Sequence, residues 1–122
     1  MEIQQAEKNL GSEALSAWIF HRAGHENPFD LLGAMFIIEG LGNRLANRWG
    51  KSIREQLRLE ESQVSFLLYH GANDGNHFAK LEAALGSGVL TEAMVTRIVK
   101  TARVTARLYA LQLEELIQEK IA

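Results

Sequence analysis

The sequence predicts an all-α protein, folded as an antiparallel helical bundle in a single domain over residues 1–122. Three observations favour this fold class. The chain contains one proline, and it is rich in Ala, Leu and Glu, which favour helices. Short turn segments divide it into four helical stretches, which is typical of bundles with antiparallel neighbours. Apolar residues make up 47% and charged residues 23%, as in an ordinary globular protein.

Turn and capping residues set the expected helix boundaries. Residues 1–10 are polar and are expected to fray, and Ser12 is expected to cap the first helix, which Gly24 ends. Asn27, followed by Pro28 in the first turn, predicts the start of the second helix. The four helices are expected at residues 12–23, 28–57, 62–85 and 91 to nearly the C-terminus, with Ser62 and Thr91 capping the last two.

Charge and cysteine content exclude several classes of function. The chain has 13 basic and 15 acidic residues, a net charge of -2, which argues against nucleic acid or an anionic membrane as a partner. Because there is no cysteine, a transition metal has to be held by His, Asp and Glu, which suit iron and manganese. The sequence shows neither an apolar run that spans a bilayer nor a signal-peptide core, so we expect a cytoplasmic protein.

Glu39 lies on an apolar stripe of the second predicted helix. Its neighbours at helical spacing are mostly apolar, namely Leu32, Met35, Phe36, Asn43 and Ala46. A buried carboxylate costs free energy unless it is paired, hydrogen-bonded or bound to a metal. Glu39 therefore either pairs with an Arg or His of a neighbouring helix or binds a metal.

His70, Asp74 and His77 share one face of the third predicted helix. Their i, i+4, i+7 spacing places them within about 60° of one another, and Phe66 and Leu81 extend this face, which predicts that it faces the core. Asp74 and His77 form a carboxylate-x-x-His unit, which is typical of di-iron carboxylate bundles. Two metals about 3.5–4 Å apart fit the length of this cluster better than one. The alternative is a structural His–Asp–His hydrogen-bond network.

These motifs resemble the heme-oxygenase-like superfamily. The stretch from Leu32 to Gly40, followed by the H-x-x-x-D-x-x-H motif of residues 70–77, is similar to the non-heme di-iron oxidase branch, which includes the chlamydial protein associating with death domains. Thiaminase II-like and pyrroloquinoline-quinone synthase-like proteins are also similar. The resemblance covers residues 28–85. It implies that the chain binds iron, either one ion or a di-iron pair, and manganese is the alternative metal. The four implied ligands are Glu39, His70, Asp74 and His77.

The resemblance implies an iron-dependent redox enzyme of the oxidase or oxygenase type, acting on a small organic substrate with dioxygen. In the family, one further Glu and one further His precede the position of Glu39 by some fifty residues, so the chain resembles the C-terminal portion of the fold without its first helices. Three alternatives follow. A second copy in a homodimer completes the metal site, a partner chain supplies the missing helices, or the site holds one metal or none.

Two other classes of function stay open. One is a metal-free small-molecule-binding protein of the same fold, and the other is a helical dimerisation or regulatory module in which the ionisable residues only stabilise the bundle. Gly71 and Gly75, beside the His/Asp face, leave room either for a neighbouring helix or for a substrate. The sequence identifies no catalytic residue, since it contains no Ser/His/Asp, phosphate-loop or dinucleotide motif.

Overall fold

Every regular element that the structure describes is helical, which confirms the all-α prediction for that part of the chain. The computed structural model describes the backbone of residues 7–118 and the side chains of residues 7–116 other than Asp74. Its α-helices are α1 (Leu10–Ala23), α2 (Leu31–Leu41), α3 (Asn47–Leu57), α4 (Ser65–Leu85) and α5 (Glu92–Gln118). Within the described range, no helix has the length and apolarity needed to cross a membrane. Residues 1–6, predicted to fray, lie outside the described residues.

The chain divides into two compact units. The terminal unit comprises Met1–Ala34 and Glu92–Ala122, and the central unit comprises Met35–Thr91. The prediction of one domain over residues 1–122, and of one antiparallel bundle that includes all the helices, stays a prediction.

In the terminal unit, α1 and α5 form an antiparallel pair. Gly11 lies against the backbone of Gln112, so closely that a β-carbon at position 11 would overlap it. Further along the pair, the Trp18 indole Nε1 donates a hydrogen bond of 3.1 Å to the hydroxyl of the buried Thr105. Since Gly11 pairs near residue 112 and Trp18 near residue 105, the two helices run in opposite directions.

The N-cap of α1 is Asn9, so the prediction of Ser12 was wrong. The Asn9 side-chain oxygen accepts a hydrogen bond of 2.8 Å from the Ser12 backbone N–H. The Asn9 amide also donates to the Gln112 carbonyl of α5, at 3.0 Å. Because this second bond crosses to another helix, the tertiary structure favours Asn9 over the other candidate cap. The helix ends at Ala23, with Gly24 as its C-cap, as predicted.

Asp30 is a buried acidic residue of the terminal unit. Its carboxylate contacts the guanidinium of Arg22 at 3.2 Å and that of Arg97, on α5, at 3.1 Å. Asp30 ends a 3-10 turn, Pro28–Asp30, that starts at the proline as predicted, although the Asn27 side chain makes no capping hydrogen bond. The ion pairs therefore link the start of α2 to both α1 and α5.

In the central unit, the chain is helical from α2 to the end of α3 and packs antiparallel to α4. A π-helical turn, Gly42–Ala46, joins α2 to α3. Gly40 lies next to Phe78, and Gly71 lies against the backbone and β-carbon of Asn47, which sets the antiparallel direction. A neighbouring helix thus occupies the space beside Gly71, which confirms the packing alternative at that position.

The segment before α4 differs from the prediction. The 3-10 turn Glu61–Val64 precedes α4. The N-cap of this turn is Glu60, whereas Ser62 was predicted as the cap of the helix. Glu60 and Gln63 form a reciprocal capping box, in which the Gln63 side-chain oxygen accepts from the Glu60 N–H at 2.9 Å. Ser62 lies inside this turn. The end of α4 at Leu85, before Gly86, is as predicted.

Candidate metal centre

The central unit brings together two of the four predicted ligands, Glu39 of α2 and His77 of α4. The imidazole Nδ1 of His77 lies 3.5 Å from the carboxylate Oε2 of Glu39. The Glu39 side chain is 17% exposed, whereas that of His77 is 51% exposed. A mostly buried carboxylate therefore faces an imidazole that is open to its surroundings.

Helix packing near Gly40 places this pair. Gly40, which follows Glu39 in α2, lies against the ring of Phe78, which follows His77 in α4. The Phe78 ring also contacts Phe36, one turn earlier in α2, at a centroid distance of 5.1 Å. The aromatic contact and Gly40 together set how closely α2 and α4 approach. As a result, the side chains of Glu39 and His77 meet beside this contact.

The Glu39–His77 distance fits two ligands of one metal ion. A charge-assisted hydrogen bond between nitrogen and a carboxylate is typically about 2.7–2.9 Å long, shorter than the 3.5 Å found here. Two donors about 2.0–2.2 Å from one metal, at about 90–109° to each other, are about 2.8–3.6 Å apart. A carboxylate oxygen and an imidazole nitrogen are also the donor types that iron, manganese and zinc accept.

His70 lies among aromatic side chains of its own helix. Its ring centroid is 4.5 Å from that of Phe66 and 5.7 Å from that of Tyr69. Asp74 lies between His70 and His77 in α4, but its side chain is outside the described part of the chain. The prediction that both residues join Glu39 and His77 as metal ligands stays a prediction.

The prediction that one face of α4 points to the core was wrong for Phe66 and His77, which are exposed, and right for Leu81, which is buried. Phe66 is 71% exposed, whereas Leu81 is buried. The face that packs on α3 is centred near Gly71, about 100° around the helix from the centre of the predicted face. Gly71 and the apolar residues Leu67, Leu68 and Phe78 make the contact on this face, and Phe66 lies outside it.

A π-helical turn begins three residues after Glu39, and the sequence analysis missed it. Gly42–Ala46 has the wider backbone hydrogen bonding of a π-helix, which is frequent at functional sites because it changes the direction of nearby side chains. The two glycines at positions 40 and 42, which are poor helix formers, were the feature that pointed to an irregular turn here.

Among the side chains that the structure describes, no three His, Asp or Glu residues are grouped as ligands of one metal ion. A shallow depression lies on α3 and the turn that follows it, lined by Lys51, Arg54, Glu55, Arg58 and Leu59. Among the described side chains, Glu39, His70 and His77 do not line this depression. It is bordered mainly by charged side chains, unlike the apolar pockets that bind small organic substrates.

Comparison with known proteins gives no family for the chain. No protein-family model matches it, and no curated protein or solved structure is significantly similar to it.

Proposed function

We propose that the central unit binds a divalent transition metal, iron in the first place, through Glu39 and His77, with Asp74 and His70 as further ligands. The observation that carries this proposal is the 3.5 Å separation of Glu39 Oε2 and His77 Nδ1. That separation suits a shared metal better than a direct hydrogen bond. Manganese is the alternative metal, because it accepts the same oxygen and nitrogen donors.

We propose further that the site serves redox chemistry on a small organic substrate, as in the di-iron oxidases that the motifs resemble. Bound iron supplies the electron transfer to dioxygen that protein side chains do not provide. Glu39, largely buried beside the aromatic contact of Phe36 and Phe78, holds a negative charge where solvent screens it weakly. His77 lies at the exposed edge, from which a substrate or a partner chain has access to the site.

The test is Fe(II) binding under anaerobic conditions, measured by titration and by elemental analysis of the purified chain. Glu39→Gln and His77→Ala each remove one ligand, and each is expected to weaken Fe(II) binding at least tenfold. Glu82→Gln and Lys80→Ala, which change exposed residues of α4, serve as matched controls with unchanged binding. A wild-type chain that takes up neither Fe(II) nor Mn(II), or equal binding in all four variants, would refute the proposal.

A second candidate function is helical association without a metal. The observation that favours it is the exposure of two aromatic residues on α4, Phe66 at 71% and Tyr69 at 63%, next to His70. Exposed aromatic surface of this kind is typical of an interaction site. A second copy or a partner chain on this surface would also lie beside the candidate metal ligand His70.

Sedimentation of the metal-free chain at several concentrations separates the two candidates. If association carries the function, the wild type is a dimer without metal, and Phe66→Ser with Tyr69→Ser makes it a monomer. A metal-free monomer that still binds Fe(II) supports the metal site and excludes the association module for this chain alone.

A further inference from the structure

A pair of histidines lies at the end of α1 in the terminal unit. His21 is in the last turn of the helix, and His25 follows the C-cap Gly24. The His25 backbone N–H donates to the Arg22 carbonyl at 3.4 Å, so the chain continues to turn beyond the helix end. As a result, the two rings meet, with centroids 5.0 Å apart and planes at 79°.

The separation of the two rings matches two imidazoles on one metal ion. A metal about 2.0–2.1 Å from an imidazole nitrogen lies about 3.2 Å from the ring centroid. Two such rings have centroids about 4.5 Å apart at a 90° ligand angle and about 5.2 Å apart at the tetrahedral angle. The observed 5.0 Å falls between these values. Both histidines are exposed, so an ion can reach them from solvent.

The neighbouring positive charge, on Arg22, contacts other side chains of the terminal unit. Arg22 lies between His21 and His25 in sequence, and a free guanidinium there would repel a cation. Instead, its guanidinium contacts the Asp30 carboxylate at 3.2 Å and lies 4.4 Å from the centre of the Trp18 ring. Asp30, which also pairs with Arg97, thus offsets part of this charge, and Arg22 contacts side chains other than the two imidazoles.

From this geometry we infer that His21 and His25 form a second metal site, which takes a divalent ion with a preference for imidazole, namely Zn²⁺, Ni²⁺ or Cu²⁺. Two protein ligands leave the other coordination positions to water or to an external ligand. The site therefore binds its ion exchangeably, as suits uptake or transfer of a metal rather than a permanent structural role. It is independent of Glu39 and His77.

Trp18 provides a direct assay of this inference. Its ring centroid is 6.5 Å from that of His21, and the chain's other tryptophan is Trp49. Paramagnetic Ni²⁺ bound this close quenches indole fluorescence, whereas Zn²⁺ does not. In a tag-free Trp49→Phe background, we expect saturable quenching by one equivalent of Ni²⁺, reversal by a chelator, and competition by Zn²⁺.

Variants distinguish this site from the one in the central unit. His25→Ala removes a ligand outside the helix and is expected to abolish the quenching, with unchanged circular dichroism. His77→Ala is expected to leave it intact. Quenching that does not saturate, that persists in His25→Ala, or that is lost in His77→Ala would overturn the inference. Because the Fe(II) experiments read out a different pair of residues, either proposal can fail without the other.

Discussion

Two glycines of α4, one turn apart, give a sharp test of how this helix packs. A β-carbon at Gly71 would lie 2.6 Å from the β-carbon of Asn47 and 2.7 Å from its backbone nitrogen. At Gly75 the nearest atom would be the side-chain oxygen of Asn43, at 3.2 Å. The backbone of Asn47 cannot rotate away, whereas the Asn43 amide can move by a few tenths of an ångström.

The same substitution is therefore expected to act in opposite directions at the two positions. Replacing glycine by alanine inside a helix gains roughly 1 kcal/mol of helix propensity. Overpacking against a fixed neighbour typically costs about 1–3 kcal/mol. For Gly71→Ala the net change is a loss of about 0–2 kcal/mol in the free energy of unfolding, because the overlap outweighs the gain. For Gly75→Ala we expect a gain of up to about 1 kcal/mol, because the neighbour can yield.

Urea unfolding followed by circular dichroism measures both effects, with Ala as the common replacement. The expected result is a lower midpoint for Gly71→Ala and an equal or higher one for Gly75→Ala, with similar slopes. Equal stabilisation by the two variants would show that α4 does not pack on Asn47 as described. If the metal proposal is right, Gly71→Ala also weakens Fe(II) binding, because it displaces the helix that carries His77.

Three further predictions concern the terminal unit. Asp30→Asn removes the carboxylate that pairs with Arg22, and we expect the free energy of unfolding to fall by about 2–4 kcal/mol in chemical denaturation. This is less than the full cost of breaking a buried ion pair, because Arg97, the second partner, is largely exposed. Glu26→Gln, at an exposed position, is the control, and equal stability of the two variants would contradict the prediction. Asn9→Ala is expected to lower thermal stability by about 1 kcal/mol through loss of the N-cap, whereas an equal effect of Ser12→Ala would restore the sequence-based assignment. Burial raises the pKa of Tyr109 above its ordinary value of 10.0, so its contribution to stability is complete below pH 10 and is lost as the pH rises further. Tyr109→Phe should therefore flatten the alkaline decline in the free energy of unfolding, measured by urea unfolding from pH 8 upwards. An unchanged dependence of that free energy on pH would refute the prediction.

Local sequence was sufficient to predict where the helices end. The ends at Ala23 and Leu85 follow from Gly24 and Gly86, and the structure confirms both. The end at Leu57 is also confirmed, but there the C-cap is Arg58 in the left-handed conformation, which no stop residue in the sequence marks. The N-terminal caps of α1 and of the 3-10 turn before α4 were less predictable, because several candidates lie within three residues of each other. At α1 a hydrogen bond to α5 decides between Asn9 and Ser12, and such a tertiary contact leaves no local pattern.

The orientation of α4 could not be predicted from apolar periodicity alone. Periodicity assigns large apolar residues to the core, and by that rule Phe66 should be buried. In the structure the helices approach so closely that Gly71 makes the contact, and Phe66 lies outside it. Gly71 and Gly75 stand out in the sequence, but their partners, Asn47 and Asn43, are separated from them by more than twenty residues and follow only from the three-dimensional structure.

The metal proposal rests on the 3.5 Å separation of Glu39 and His77 together with the burial of the Glu39 carboxylate. If the two side chains formed a structural ion pair, a short hydrogen bond would be expected, since the buried carboxylate would otherwise be poorly compensated. The contact of Gly40 with Phe78 brings the two helices close together. The packing of the helices is therefore not what keeps the Glu39 and His77 side chains apart. A cation between the two donors would compensate Glu39 and would fit the 3.5 Å gap. The Fe(II) titration of Glu39→Gln is therefore the more decisive variant, because it keeps the shape of the side chain and removes only the charge.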